Sequence, residues 1–154
     1  MILGSKARYA VMAMVDLARQ ETDKPTCLAD IAERQEISLA YLEQIFLKLK
    51  KHGLVKPVRG PGGGYLLAEQ PEDTPISAII AAVDESLKMT RCDAHAGGGC
   101  MADKARCLTH DLWEGLGNHI HAYLHGISLK DVCDKNLPAN IPTTLLSMDE
   151  ICVN

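Results

Sequence analysis

The side chains of this sequence best suited to chemistry are sulfur and imidazole. Cys92, Cys100, Cys107 and His110 fall within 19 residues, with Gly97-Gly98-Gly99 between the first two cysteines. Three thiols and one ring nitrogen make a four-ligand set for a soft or borderline metal centre. Cys107 and His110 are three residues apart at the start of a helical pattern, so both can face one way. Zinc sites of this composition usually hold their ligands in close pairs on tight knuckles. Here the spacers between cysteines are seven and six residues, which suits the larger body of an iron–sulfur cluster. A neutral imidazole in place of one thiolate removes negative charge from such a centre and raises its potential. Protons also compete for the imidazole, so the centre is labile. Lability serves sensing better than electron transfer. Arg91, Lys104 and Arg106 lie nearby in sequence and could offset the remaining charge, while the rival fourth ligands are Asp111, His95 or a residue from a partner subunit. Zinc remains the alternative metal. The other cysteines read differently: Cys27 as a small core residue of a helix, Cys133 and Cys152 as incidental. His119, His121 and His125 read as a solvated or interface face of the last long helix.

A thiol nucleophile paired with His110 is the enzymatic rival. No loop of oxyanion-hole type accompanies it, and three thiols around one imidazole form a ligand set rather than a triad. The chain therefore reads as a non-enzyme. Its 154 residues suffice for a hydrophobic core. Aromatics are only 4% of them, so that core must rest on Leu, Ile, Val, Ala and Met, which favours helix. Apolar runs are far shorter than a membrane span, and no leader pattern opens the chain. A cytoplasmic location without a membrane partner is expected, where disulfides are rare.

The elements that must position the donors follow from periodicity. Ser5 can cap a first helix with Ala7, Ala10, Val11, Met14, Leu17 and Ala18 on one stripe. Cys27 to Gln35 reads as a short second helix burying Leu28, Ile31 and Ala32. Ser38 then caps a third helix through His52, with Leu42, Ile45, Phe46 and Leu49 inward and Gly53 at its end. Two short helices joined by a tight turn make a helix-turn-helix. Leu54 to Val58 and Tyr65 to Leu67 have strand character, and Arg59-Gly60-Pro61-Gly62-Gly63-Gly64 between them makes a tight, positively charged hairpin, a wing. A phosphate loop is excluded because no Gly-Lys-Ser/Thr follows. Thr74-Pro75 opens a connecting helix over 74–87 with Ile76, Ile79, Ile80 and Val83 buried. The ligand loop occupies 90–109. A long helix over 111–126 places Leu112, Leu116, Ile120, Leu124 and Ile127 on one stripe, too apolar to be covered by its own chain.

Charge points to the partner. Residues 1–65 carry 10 Lys/Arg against 7 Asp/Glu, although the whole chain has a net charge of −4. From Lys48 to Arg59 there are five basic residues and no acid. A basic face on an acidic protein suits nucleic acid. In such an arrangement Gln44 would read a base edge, Glu43 would accept from a cytosine amine, Tyr41 and the lysines would hold phosphates, and Arg59 would enter the minor groove.

Several stretches resemble the IscR-type iron–sulfur cluster regulators: Ser38-Leu39-Ala40-Tyr41-Leu42-Glu43-Gln44, the wing from Arg59 to Tyr65, Ala82-Val83-Asp84-Glu85-Ser86, and Cys107-Leu108-Thr109-His110. The resemblance spans roughly residues 1–130. It implies a homodimeric winged-helix repressor or activator of double-stranded operator DNA, whose cluster is held by three cysteines and a non-cysteine ligand. On these positions the ligands are Cys92, Cys100, Cys107 and His110. The DNA-facing set is Ser38, Ala40, Tyr41, Glu43, Gln44, Lys48, Arg59, Gly60, Gly62 and Gly63. The spacers here are longer than in typical IscR-type members and approach those of related regulators that respond to nitric oxide or iron. A [2Fe–2S] cluster is expected, with [4Fe–4S] as the alternative. The expected architecture is mainly α with a small β-hairpin wing. It comprises a winged helix-turn-helix (1–70), a connecting helix, cluster loop and dimerisation helix (71–134), and a mobile tail (135–154).

Overall fold

The computed structural model describes residues 4–20, 24–84, 99–101 and 105–138. Among these, the chain forms α1 (Ser5–Ala18), α2 (Leu28–Gln35), α3 (Leu39–Lys51), β1 (Val55–Val58), β2 (Gly64–Leu67), a 3-10 turn at Pro71–Asp73, α4 (Ile76–Ala82), α5 (His110–His125) and α6 (Leu129–Cys133). This is the mainly helical, winged architecture that the sequence predicts.

Helix α1 is the mast. Its buried Ala7, Ala10 and Ala13 carry little bulk, so α2, α3, α4 and α6 all pack against it. Met14 and Leu17 fill the same core, together with Ile31 of α2 and Leu42, Ile45, Phe46 and Leu49 of α3. One charged group lies within this packing. Asp16 is 6% exposed and accepts from Arg34 at 2.6 and 3.1 Å and from Gln35 at 2.7 Å, which clamps α2 to α1. Burial pushes its carboxyl up, but the donors from Arg34 and Gln35 outweigh that and hold it below the usual carboxylate range.

Several boundaries differ from the periodicity. Extended Gly4 takes the cap position of α1 and Ser5 is the first helical residue. Helix α2 starts at Leu28, so Cys27 is its cap, with extended backbone, and is exposed rather than a core residue. The cause is tertiary. Thr26 exchanges two backbone hydrogen bonds with Tyr65 of β2, at 3.0 and 2.9 Å, and this holds the chain extended up to the helix. In the same way Pro75 caps α4 rather than occupying its first turn, because Ile76 N–H donates to Ile127 O at 2.9 Å and Leu129 N–H to Thr74 O at 2.8 Å. Helix α4 is shorter than 74–87: Val83 is its C-cap, Asp84 turns left-handed at φ 57°, and residues 85–87 lie outside the described part. Ile76, Ile79, Ile80 and Val83 are buried as expected.

Helix α5 splits along its length. Its far end packs into the core through half-buried Leu124, followed by buried Ile127 and Leu129. Its near end leaves Leu112 64% and Leu116 40% exposed, with Trp113 similarly open, and Tyr123 near the far end is exposed as well. Of the tail expected at 135–154, residues 135–138 are exposed and the rest lie outside the described residues. No described helix is long and apolar enough to cross a membrane.

Candidate DNA-reading face and candidate metal centre

Helix α3 is built to present a face. Ser38 caps it by accepting from Tyr41 N–H at 3.3 Å, its apolar side is sealed in the core, and Gly53 at φ 74° follows its C-cap. What remains outward is Ala40, Glu43, Gln44, Leu47, Lys50 and Lys51, all exposed. Tyr41 is half-buried, its ring edge-on to Tyr9 of α1 with centroids 5.8 Å apart, so α1 braces the start of α3. The basic run is not uniform. Lys48 forms a salt bridge with Asp84 at the end of α4, and Lys56 donates to Ala68 O at 3.0 Å. Lys50, Lys51 and Arg59 are exposed on the surface. The Asp84 carboxyl is held below its ordinary range first by the hydrogen bond from Lys48 and then by its charge. Spacing alone could not reveal that one lysine of the run already faces an acid from a distant helix.

The wing is a two-stranded antiparallel ribbon with Val55 opposite Leu67 and Val58 opposite Gly64. Gly63 N–H closes its turn on Gly60 O at 2.9 Å, with Pro61 and then Gly62 at φ 72° in the middle, the type II pattern. Glycine at 63 and 64 answers a different demand. A Cβ on Gly63 would stand 2.4 Å from Val58 O, and one on Gly64 would stand 2.2 Å from Thr26 O. The wing is thus pressed against the entry to α2, and Phe46 of α3 meets Tyr65 of β2 with ring centroids 4.9 Å apart. The wing packs directly on the helix-turn-helix, with exposed Arg59 where β1 enters the turn.

Two of the expected metal donors are brought together. Cys100 Sγ lies 3.1 Å from His110 Nδ1, although ten residues separate them in sequence. His110, the first residue of α5, is 5% exposed. Its backbone N–H donates to Cys107 O at 3.0 Å, so Cys107 stands one turn before it. The Cys107 thiol, however, lies 3.6 Å from Thr109 Oγ1, and no described trio of donors within 4.8 Å includes it. The described trio that does converge is His110, Asp111 and Glu114, with His110 Nε2 3.8 Å from Glu114 Oε1. Glu114 was legible only as the residue one helical turn beyond a candidate ligand. Cys92 and the rival His95 lie outside the described residues, as do Arg91 and Lys104. Arg106 is exposed and pairs with Asp111 at 3.7 Å. Among the remaining cysteines, Cys133 is half-buried with Sγ 3.9 Å from Val15 O, and Cys152 lies outside the described part. The late histidines are committed locally: His119 Nδ1 to Gly115 O at 2.8 Å, His125 Nδ1 to Ser77 Oγ at 3.2 Å, and the His121 ring stacked on His125.

Known proteins share both the sequence and the fold. Residues 3–135 match the Rrf2 family, described as iron-dependent transcriptional regulators. The HTH-type transcriptional regulator IscR of Aliivibrio salmonicida is 52% identical over 136 residues, 88% of this chain and 79% of that protein. IscR of Yersinia pestis is 52% identical over 132 residues, 86% of this chain and 79% of that one. Among solved structures, T. potens IscR is 32% identical with a TM-score of 0.71, covering 95% of this chain and 97% of its own. CymR, the global cysteine regulator of B. subtilis, is 26% identical with a TM-score of 0.73, covering 88% and 98%. The helix-turn-helix, the wing and the sequence lead to one conclusion: the chain belongs to the Rrf2 family as an IscR-type transcriptional regulator, a DNA-binding protein and not an enzyme.

Proposed function

We propose that the protein is a cytoplasmic homodimer that binds operator DNA and senses the state of an iron–sulfur cluster held by Cys92, Cys100, Cys107 and His110. The single observation that carries this reading is the 3.1 Å approach of Cys100 Sγ to a buried His110 Nδ1. Burying an imidazole against a thiol from a separate segment costs solvation, and a shared metal centre offsets that cost. The donor set fits such a centre in kind: thiolates and imidazole are ligands for iron–sulfur clusters and for zinc alike. A bound cluster would supply reversible redox chemistry and a charge that changes when it is lost. The chain's own contribution is positional. His110 opens α5 and Cys107 lies in the turn before it, so ligand occupancy acts on the start of that helix. The exposed Leu112, Trp113 and Leu116 on the same helix support its pairing with a second copy. In the dimer each α3 would enter a major groove with Gln44 and Glu43 on base edges, Ser38, Ala40, Tyr41 and Lys48 along the backbone, and Arg59 with Gly60, Gly62 and Gly63 at the minor groove.

Anaerobic purification followed by a visible spectrum and iron, sulfide and zinc analysis tests the reading. A brown protein with iron and sulfide in equal amounts supports a cluster, and two or four irons per chain decides between [2Fe–2S] and [4Fe–4S]. A colourless protein with one zinc per chain sinks it in favour of a zinc-stabilised regulator. Alanine at Cys92, Cys100, Cys107 or His110 should bleach the protein, whereas alanine at Cys27 or Cys133 should leave the spectrum intact.

A further inference from the structure

The outward face of α3 carries one residue that nothing above employs. Leu47 is 66% exposed, against 42% for Leu39 in the first turn, while Leu42, Ile45, Phe46 and Leu49 of the same helix are sealed in the core. Its neighbours one turn away are Glu43 and Gln44 before it and Lys50 and Lys51 after it, all exposed. The core-facing residues of α3 are Leu42, Ile45, Phe46 and Leu49, so at 3.6 residues per turn Leu47 stands nearly opposite their centre, in the middle of the outward face. An isobutyl group there loses solvation entropy unless something apolar covers it. The positive charge around it selects the partner: lysines on the same surface attract polyphosphate and repel a basic partner. The apolar group that a DNA major groove offers is the 5-methyl of thymine.

We propose that Leu47 is a base-reading residue that packs on a thymine methyl beside the bases facing Glu43 and Gln44. This rests on α3 being the helix that enters the groove. One helical turn advances about 5.4 Å and one base step about 3.4 Å, so the thymine lies one or two base pairs from the step that Glu43 and Gln44 meet. The contact is non-polar and independent of salt, so it adds sequence preference without adding phosphate affinity. Glu43 and Leu47 together discriminate in opposite ways: the carboxylate demands a base amine, and the isobutyl demands a methyl.

The test uses full-length protein and a duplex selected by that protein from a random-sequence library. Each thymine in the duplex is replaced singly, and at its symmetry mate, by deoxyuracil, which removes the methyl and nothing else. Expected is a loss of about fourfold per half-site for the wild type at one thymine position, the worth of one buried methyl. L47A should bind the thymine duplex more weakly and be indifferent to that replacement, and L47M should restore the preference in part. Ala is a better helix former than Leu at an exposed site, so L47A retains the fold, and its unfolding midpoint checks this. If wild type and L47A respond identically to every uracil replacement, the proposal is overturned. It is equally overturned if L47A weakens thymine and uracil duplexes alike. A separate result marks failure of the underlying reading: E43A and Q44A binding the selected duplex as tightly as the wild type would remove α3 from the groove.

Discussion

Replacing Gly64 with alanine probes how the wing is joined to the helix-turn-helix. The added Cβ would meet Thr26 O at 2.2 Å, Thr26 C at 2.4 Å and Cys27 N at 2.9 Å, all of them backbone. No side chain can swing aside, so one strand must retreat by roughly 1 Å to reach ordinary contact. The segment that retreats is tied by the Thr26–Tyr65 pair of hydrogen bonds at 3.0 and 2.9 Å, and both stretch with it. Losing or weakening two such bonds and overpacking a buried junction should together cost about 2–3 kcal/mol. The wing would also shift relative to α3, so operator affinity should fall by more than the stability loss alone explains. Gly62 provides the control. Its φ of 72° favours glycine while the space around it is open, so the constraint there is conformational. Asn tolerates that backbone, and Gly62→Asn should cost well under ~1 kcal/mol, whereas Gly64→Asn should be at least as harmful as Gly64→Ala. Urea unfolding of the four proteins, followed by DNA titration at fixed salt, measures both effects. A Gly64→Ala protein within about 0.5 kcal/mol of the wild type would refute the close-approach argument.

Other expectations follow from named contacts. Asp16 has a folded-state pKa below its ordinary value, so its contribution to stability is present at neutral pH and fades as pH falls from the usual carboxylate range through the depressed value. Asp16→Asn should therefore destabilise by about 1–3 kcal/mol at pH 7, towards the low end because Arg34 is 41% exposed, and the gap to the wild type should narrow in acid; a gap that widens on acidification would contradict the sign. Charging the exposed end of α5 with Leu112→Lys and Leu116→Lys should convert a dimer to monomers in analytical ultracentrifugation while leaving the monomer folded, and an unchanged mass would place the interface elsewhere. Lys48→Ala should lower the slope of log affinity against log salt by about one, and Asp84→Asn should strengthen DNA binding by releasing the lysine from its acid. Equal slopes for all three proteins would show that Lys48 meets no phosphate. Phe46→Ala, which empties a fully buried site beside Tyr65, should cost about 3–5 kcal/mol in equilibrium unfolding.

Period and punctuation were enough to read the helix-turn-helix and the wing. Leu42, Ile45, Phe46 and Leu49 repeat at helical spacing, Ser38 and Gly53 mark the ends, and Pro61-Gly62 carries its own turn geometry. These are local properties, and local chemistry determines them. The proposed donors, three cysteines and a histidine, stand together in one short segment, and the family motifs pointed to the regulator class that sequence and fold relatives share.

Contacts between distant segments decided the rest. Cys27 looked like a core residue because it precedes Ile31 by one helical turn, yet the pairing of Thr26 with Tyr65 keeps the chain extended there and leaves the thiol outside. Thr74-Pro75 has the local signature of a helix start, and its displacement by one residue comes from a bridge to Ser128, far along the chain. Lys48 was one of five basic residues in a single run until α4 brought Asp84 against it. Helix α5 read as one continuous apolar stripe, but α4 covers only its far end and leaves Leu112 and Leu116 open. Glycine at 62 answers the turn in which it sits, whereas glycine at 64 answers a backbone 38 residues earlier. A sequence specifies what each segment prefers on its own; which groups finally meet depends on how those segments pack, and packing is a property of the whole chain.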